Sequence, residues 1–130
     1  MAYYGFVYVM SNPIMPDVYK IGYTDKSPRQ RADDLSNTSV PTPYEVVAHW
    51  EVESPMVHEK QLHNLLSEKR ISNNREFFKL NYDDFLDVYL YMSDFALSDN
   101  FNYPIDSVIE GYYIKQNLLL KKADNNETDS

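Results

Sequence analysis

The sequence predicts an α/β protein of the α+β kind, with a small three-stranded antiparallel sheet flanked by helices and a helical C-terminal extension. Three observations predict it. Runs of β-branched and aromatic residues recur three times in the first 52 residues, and the first two lie close enough to pair antiparallel. Helix-capping signals follow the second and third runs. From Asn81 onward the apolar spacing becomes helical.

Phe6-Val7-Tyr8-Val9-Met10 reads as a buried strand, ended by the loop chemistry of Asn12-Pro13 and Pro16-Asp17. Val18 to Thr24 reads as the second strand. Ser27 caps a following helix, Pro28 suits its first turn and Gln30 completes a capping box. The thin apolar stripe of Ala32 and Leu35 limits that helix to covering one edge of a sheet. Pro41 and Pro43 mark a loop, and Tyr44 to Val52 reads as the third strand. Ser54-Pro55 repeats the cap signal and opens a helix to about Arg70, with Val57, Leu62, Leu65 and Leu66 on its apolar side. Phe77 to Leu80 docks as a short strand or extended segment. Phe85, Val88, Tyr89, Met92 and Phe95 then define a helix, and Ile105 to Leu120 another, weakened by Gly111. The organisation read from this is a module over residues 1–80, an acidic helical extension over 81–122 packed on it, and a polar, disordered tail over 123–130.

The chain has 130 residues, one domain's worth of core. It has no cysteine, which excludes disulfide scaffolds and thiolate zinc sites. It lacks both a run of apolar residues long enough to span a membrane and a signal-peptide start, so a cytoplasmic, membrane-free protein is expected. The net charge of −8 is uneven: residues 1–80 carry ten acids against nine bases, and residues 81–130 ten acids against three. Such acidity argues against generic nucleic-acid binding. Four bases against one acid in Lys20–Arg31, and five against two in Lys60–Lys79, leave a specific site open.

The candidate chemistry lies in an ordered series: Tyr8 on the first strand, Lys20 and Gly22 on the second, Arg31 on the first helix, Glu59 and His63 on the second, then Asn73 to Glu76. His58-Glu59 with His63 looks like a zinc-protease motif, but histidines five apart on a helix point some 140° away from each other and cannot share one ion.

Together these residues resemble the GIY-YIG nuclease superfamily, in the branch found in phages and bacteria whose second motif reads KIG. The strings that carry the resemblance are Gly5 to Asn12, Tyr19 to Thr24, Ser27 through Arg31 to Ser36, Val40 to Val46, Glu59 with Leu62-His63, and Arg75-Glu76-Phe77-Phe78. They cover roughly residues 5–80. The resemblance implies a metal-dependent DNA endonuclease that hydrolyses phosphodiester bonds. Tyr8 would then activate or orient water, Arg31 contact the scissile phosphate and Glu59 hold a single Mg²⁺ or Mn²⁺. Lys20 stands where the wider superfamily has a second tyrosine, so it would contact phosphate or mark a difference in catalysis. His63, one turn past Glu59, is expected to assist catalysis or serve the structure.

Gly22, Arg29, Arg70, Asn74 and Arg75 are the expected substrate-binding residues, with Lys69 on the same DNA-binding face. The rivals to this reading are an inactive module of the same fold that binds DNA or protein, and an acidic inhibitor of a nucleic-acid-binding protein. The acidic C-terminal part either offers a surface to a protein partner and repels stray DNA, or completes the core.

Overall fold

A computed structural model describes residues 3–36, 43–71 and 76–128, without the side chains of 125–128. The elements in chain order are β1 (Tyr4–Ser11), β2 (Val18–Thr24), α1 (Pro28–Leu35), β3 (Glu45–Glu53), α2 (Pro55–Leu65), β4 (Phe77–Lys79), α3 (Tyr82–Ser93), β5 (Ser98–Phe101) and α4 (Ile105–Thr128). The α+β class stands. The sheet, however, has five antiparallel strands in the order β4-β2-β1-β3-β5, so the three expected strands are its centre. β4 is the segment foreseen as a short strand or extended piece. β5 was not foreseen, because Ser98-Asp99-Asn100-Phe101 has little β-forming character. It pairs along the edge of β3, from Ala48↔Phe101 to Glu51↔Ser98, and backbone pairing rather than side-chain preference makes it a strand.

Alternation along the strands sorts side chains onto two faces. Val7, Val9, Ile21, Ala48, Trp50 and Val52 point into the main core, against Leu62 within α2 and Leu66 just after it, Phe85, Val88 and Met92 of α3, and Ile105 and Val108 of α4. A register shift between Val9 and Met10 leaves Val47 as an extra residue in β3, which lets Val47 and Ala48 both face this core. On the other face Tyr8, Met10 and Ala32 form a small cluster beneath α1, with Leu35, Tyr44 and Val46 against it. The thin stripe of α1 therefore does cover one side of the sheet.

The caps behave unequally. Ser27 accepts the Gln30 backbone N–H at 3.1 Å, as the sequence suggests. Ser54 does not cap α2 with its side chain; it adopts a left-handed backbone, and its carbonyl accepts the Val57 N–H at 3.0 Å. Its own N–H is tied to the Tyr3 carbonyl at 2.7 Å, so the start of α2 is held by backbone hydrogen bonds rather than by a side-chain cap. The helix also ends at Leu65, before a 3₁₀ turn over Ser67–Lys69, rather than reaching Arg70. Val57 and Leu65, expected on its apolar side, are exposed. Asn81 and Asp84 form a reciprocal capping box on α3, which gives the acidic run at 83–87 a structural task. Phe95 lies past the end of α3 and is exposed.

The C-terminal part completes the core, since Ile105 and Val108 are buried in it. Helix α4 continues to Thr128, through the stretch read from composition as a disordered tail. No helix among the described residues is long and apolar enough to cross a membrane.

Candidate active site

Tyr8 sits in the middle of β1, turned away from the main core and 2% exposed. In the sheet its cross-strand neighbours are Gly22 on β2 and His49 on β3. Its ring lies directly over Gly22: a Cβ there would stand 2.6 Å from the Tyr8 Cζ. The glycine is therefore needed for the phenol, not for a turn. Gly22→Ala is expected to push the ring off its seat and to cost about 1–3 kcal/mol in urea unfolding, as overpacking does. An equal midpoint to wild type would show that the ring has another place to go.

The Tyr8 phenol points into an open cleft of ≈ 460 Å³ whose walls include Tyr23, Lys26, Arg31, Glu59 and Glu76. The Arg31 guanidinium lies near enough to the phenol to act on its ionisation. Burial raises the Tyr8 pKa above the ordinary tyrosine range; Arg31 pulls it down, and the Glu76 and Glu59 charges push it up. At neutral pH the group is thus a phenol, able to orient a water by hydrogen bonding.

Glu59 lies on α2 with its side chain 16% exposed. Burial, and then the nearby charge of Glu76, lift its pKa to about 7, against a smaller opposing pull from Lys20. His63 follows one turn later and is buried. Its Nε2 lies 2.8 Å from the Ile21 carbonyl, which only an N–H can satisfy. The lone pair is therefore on Nδ1, 3.7 Å from Glu59 Oε1. Burial first of all keeps the His63 pKa low, so the ring is neutral and holds a fixed tautomer beside the carboxylate.

Lys20 is 6% exposed and forms an ion pair with Glu76, its ammonium also 5.4 Å from the centre of the Phe77 ring. The Glu76 carbonyl accepts the Ile21 N–H at 3.0 Å, which fixes this residue at the cleft wall. Glu76 closed the candidate series read from the sequence but was given no role there, whereas Tyr23 and Lys26 of the cleft wall were not foreseen as site residues. A carboxylate in a loop before a strand has no periodicity to reveal it.

The structure thus brings Tyr8, Arg31, Glu59 and His63 together around Gly22, with Lys20 behind Glu76. It does not bring Arg29 and Arg70 into the cleft. Arg29 lines a separate depression with Asp33, Tyr44 and His49. Two residues apart on a helix are about 200° apart, so Arg29 and Arg31 leave α1 on different sides. Arg70 lines another depression with Lys69 and lies 5.4 Å from the centre of the Phe78 ring. Asn74 and Arg75 fall outside the described residues. Among the described residues no group of three or more His, Cys, Asp or Glu side chains is arranged to hold a metal.

A family model described as the T5orf172 domain matches residues 5–93. No curated protein and no solved structure matches the chain. The family match overturns the resemblance to the GIY-YIG superfamily, and with it the expectation of a GIY-YIG-type endonuclease. Every string that carried the resemblance lies inside the matched span, and short strings of strand, glycine and arginine are not peculiar to one family. Lys20, which stands where the wider GIY-YIG superfamily has a second tyrosine, is paired with Glu76. The match is loosely consistent with a nucleic-acid-related function. It extends past residue 80 to include α3, and on that evidence the chain belongs to the T5orf172 domain family.

Proposed function

We propose that the cleft binds a nucleic-acid phosphodiester, DNA in the first instance, and hydrolyses it. One observation carries this reading: a buried phenol, a guanidinium beside it and a desolvated carboxylate converge on one open cleft from β1, α1 and α2. Arg31 supplies planar, permanently charged donors for the non-bridging oxygens. Tyr8, kept protonated by burial, orients a water or the phosphate beside it. Glu59 carries a negative charge that its surroundings do not fully compensate, which is what a cation site needs. Among the described residues no group of three or more ligating side chains surrounds it, so Glu59 suits Mg²⁺ or Mn²⁺, ions that keep several waters and accept phosphate oxygens. Such an ion would supply positive charge at the leaving oxygen. His63, held by its bond to Ile21, presents its Nδ1 lone pair toward Glu59, so that side favours the protonated carboxyl over the carboxylate.

Nicking of supercoiled plasmid with Mg²⁺ or Mn²⁺, and with EDTA as control, tests the reading. Cleavage that EDTA abolishes, and that Arg31→Ala lowers by about a hundredfold or more, is the expected result. DNA retention without cleavage under either ion would make the domain a binding module. The Lys20–Glu76 pair favours that second reading, because it places a carboxylate at the wall that phosphate must approach.

A further inference from the structure

Helix α4 has two unlike halves. Near its start Ile105 and Val108 are buried in the core. From Tyr113 onward large apolar side chains stand in solvent: Tyr113, Ile114, Leu118, Leu119 and Leu120 are 51%, 53%, 59%, 52% and 64% exposed. The whole helix has 24 residues, about 36 Å at the usual rise, so its second half runs well beyond its buried start. A helical end without tertiary packing is marginal in water, and an exposed apolar cluster of this kind marks a contact surface.

Charge identifies what covers it. Residues 110, 114, 118 and 122 recur at every fourth position and form one ridge: Glu110, Ile114, Leu118 and Lys122, all exposed. Rows of this spacing are the ones that interdigitate in the commonest class of helix packing. Read from the other end, the ridge runs cation, apolar, apolar, anion. A two-fold axis level with Gln116 sets Glu110 against Lys122 of the partner subunit and Ile114 against Leu118 of the partner subunit, each twice. An interface between identical copies must be self-complementary in this way. We propose that α4 pairs antiparallel with α4 of a second copy of the chain across this ridge.

Sedimentation velocity of the full 130-residue chain over a concentration series tests the proposal. A species of twice the 15.3 kDa chain mass is expected. Leu118→Glu, and independently Ile114→Glu, should raise the dimer dissociation constant by about a hundredfold, as loss of a central apolar contact does. An unchanged emission maximum from Trp50, which is fully buried in the core, would confirm that both variants remain folded. Glu110→Lys should weaken the dimer by about tenfold, and adding Lys122→Glu on the same chain should restore it. A chain that stays monomeric throughout overturns the proposal. A dimer indifferent to both apolar substitutions places the interface elsewhere, and a double charge swap as weak as the single one refutes the antiparallel register.

Discussion

Glu59→Gln is expected to lower cleavage by orders of magnitude while raising the stability of the metal-free protein above neutral pH. The carboxyl of Glu59 takes a pKa of about 7 in the fold against 4.5 for a solvated glutamate. A group whose pKa is raised on folding contributes stability that is fully present below its unfolded value and is lost as pH rises through its folded value. For Glu59 that window runs from about 4.5 to about 7. Above it, the wild-type protein holds a desolvated charge that glutamine does not carry. Glutamine keeps the shape, so the variant should gain about 1–3 kcal/mol at about pH 8 and little at about pH 4.5. Thermal melts with EDTA at the two pH values measure this directly. Equal melting shifts at both would show that the carboxylate is solvated and paired with His63 as an ordinary helix pair. Cleavage at the wild-type rate would move the metal elsewhere and remove the proposed mechanism.

Truncation after Ser98 is the second large effect. It removes most of β5 and all of α4, and with them Ile105, which is fully buried, and Val108. It also strips the outer edge of β3 of its pairing partner. The remaining chain should lose its cooperative thermal transition, and Ile105→Ala in the intact chain should cost about 2–5 kcal/mol. A truncated protein that melts cooperatively near the wild-type temperature would make residues 99–130 an appendage. Leu118→Glu, on the far half of the same helix, should leave the monomer's stability nearly unchanged.

What could be read from the sequence divides along physical lines. Strands β1 to β3 are written in β-branched and aromatic runs, so the centre of the sheet was legible. β5 is written in no such code and exists because β3 has an unpaired edge. Ser54-Pro55 carries the composition of a side-chain cap, yet the chain enters α2 through a left-handed residue tied to Tyr3, which composition does not reveal. Tyr8, Gly22 and Arg31 were singled out through the resemblance, and strand pairing with the placement of α1 brings them to one place. Helix geometry, applied to Arg29, separates it from Arg31. The family was misread because short strings resemble several families, and only the matched span of residues 5–93 distinguishes them.

The peptide groups of Ile21 have a consequence for how the cleft comes apart. The N–H of Ile21 holds Glu76, at the start of the three-residue edge strand β4, and its carbonyl holds His63 on α2. Short edge strands open at low free energy, whereas a helix packed into the core opens only with the whole domain. β4, however, buries Phe78 in the main core with its ring 5.0 Å from that of His63, so opening it would release Glu76 and the Lys20 ammonium and unsettle His63 with them. The two carboxylates of the cleft are therefore coupled through one peptide: what loosens the strand beside Glu76 also disturbs the helix that carries Glu59.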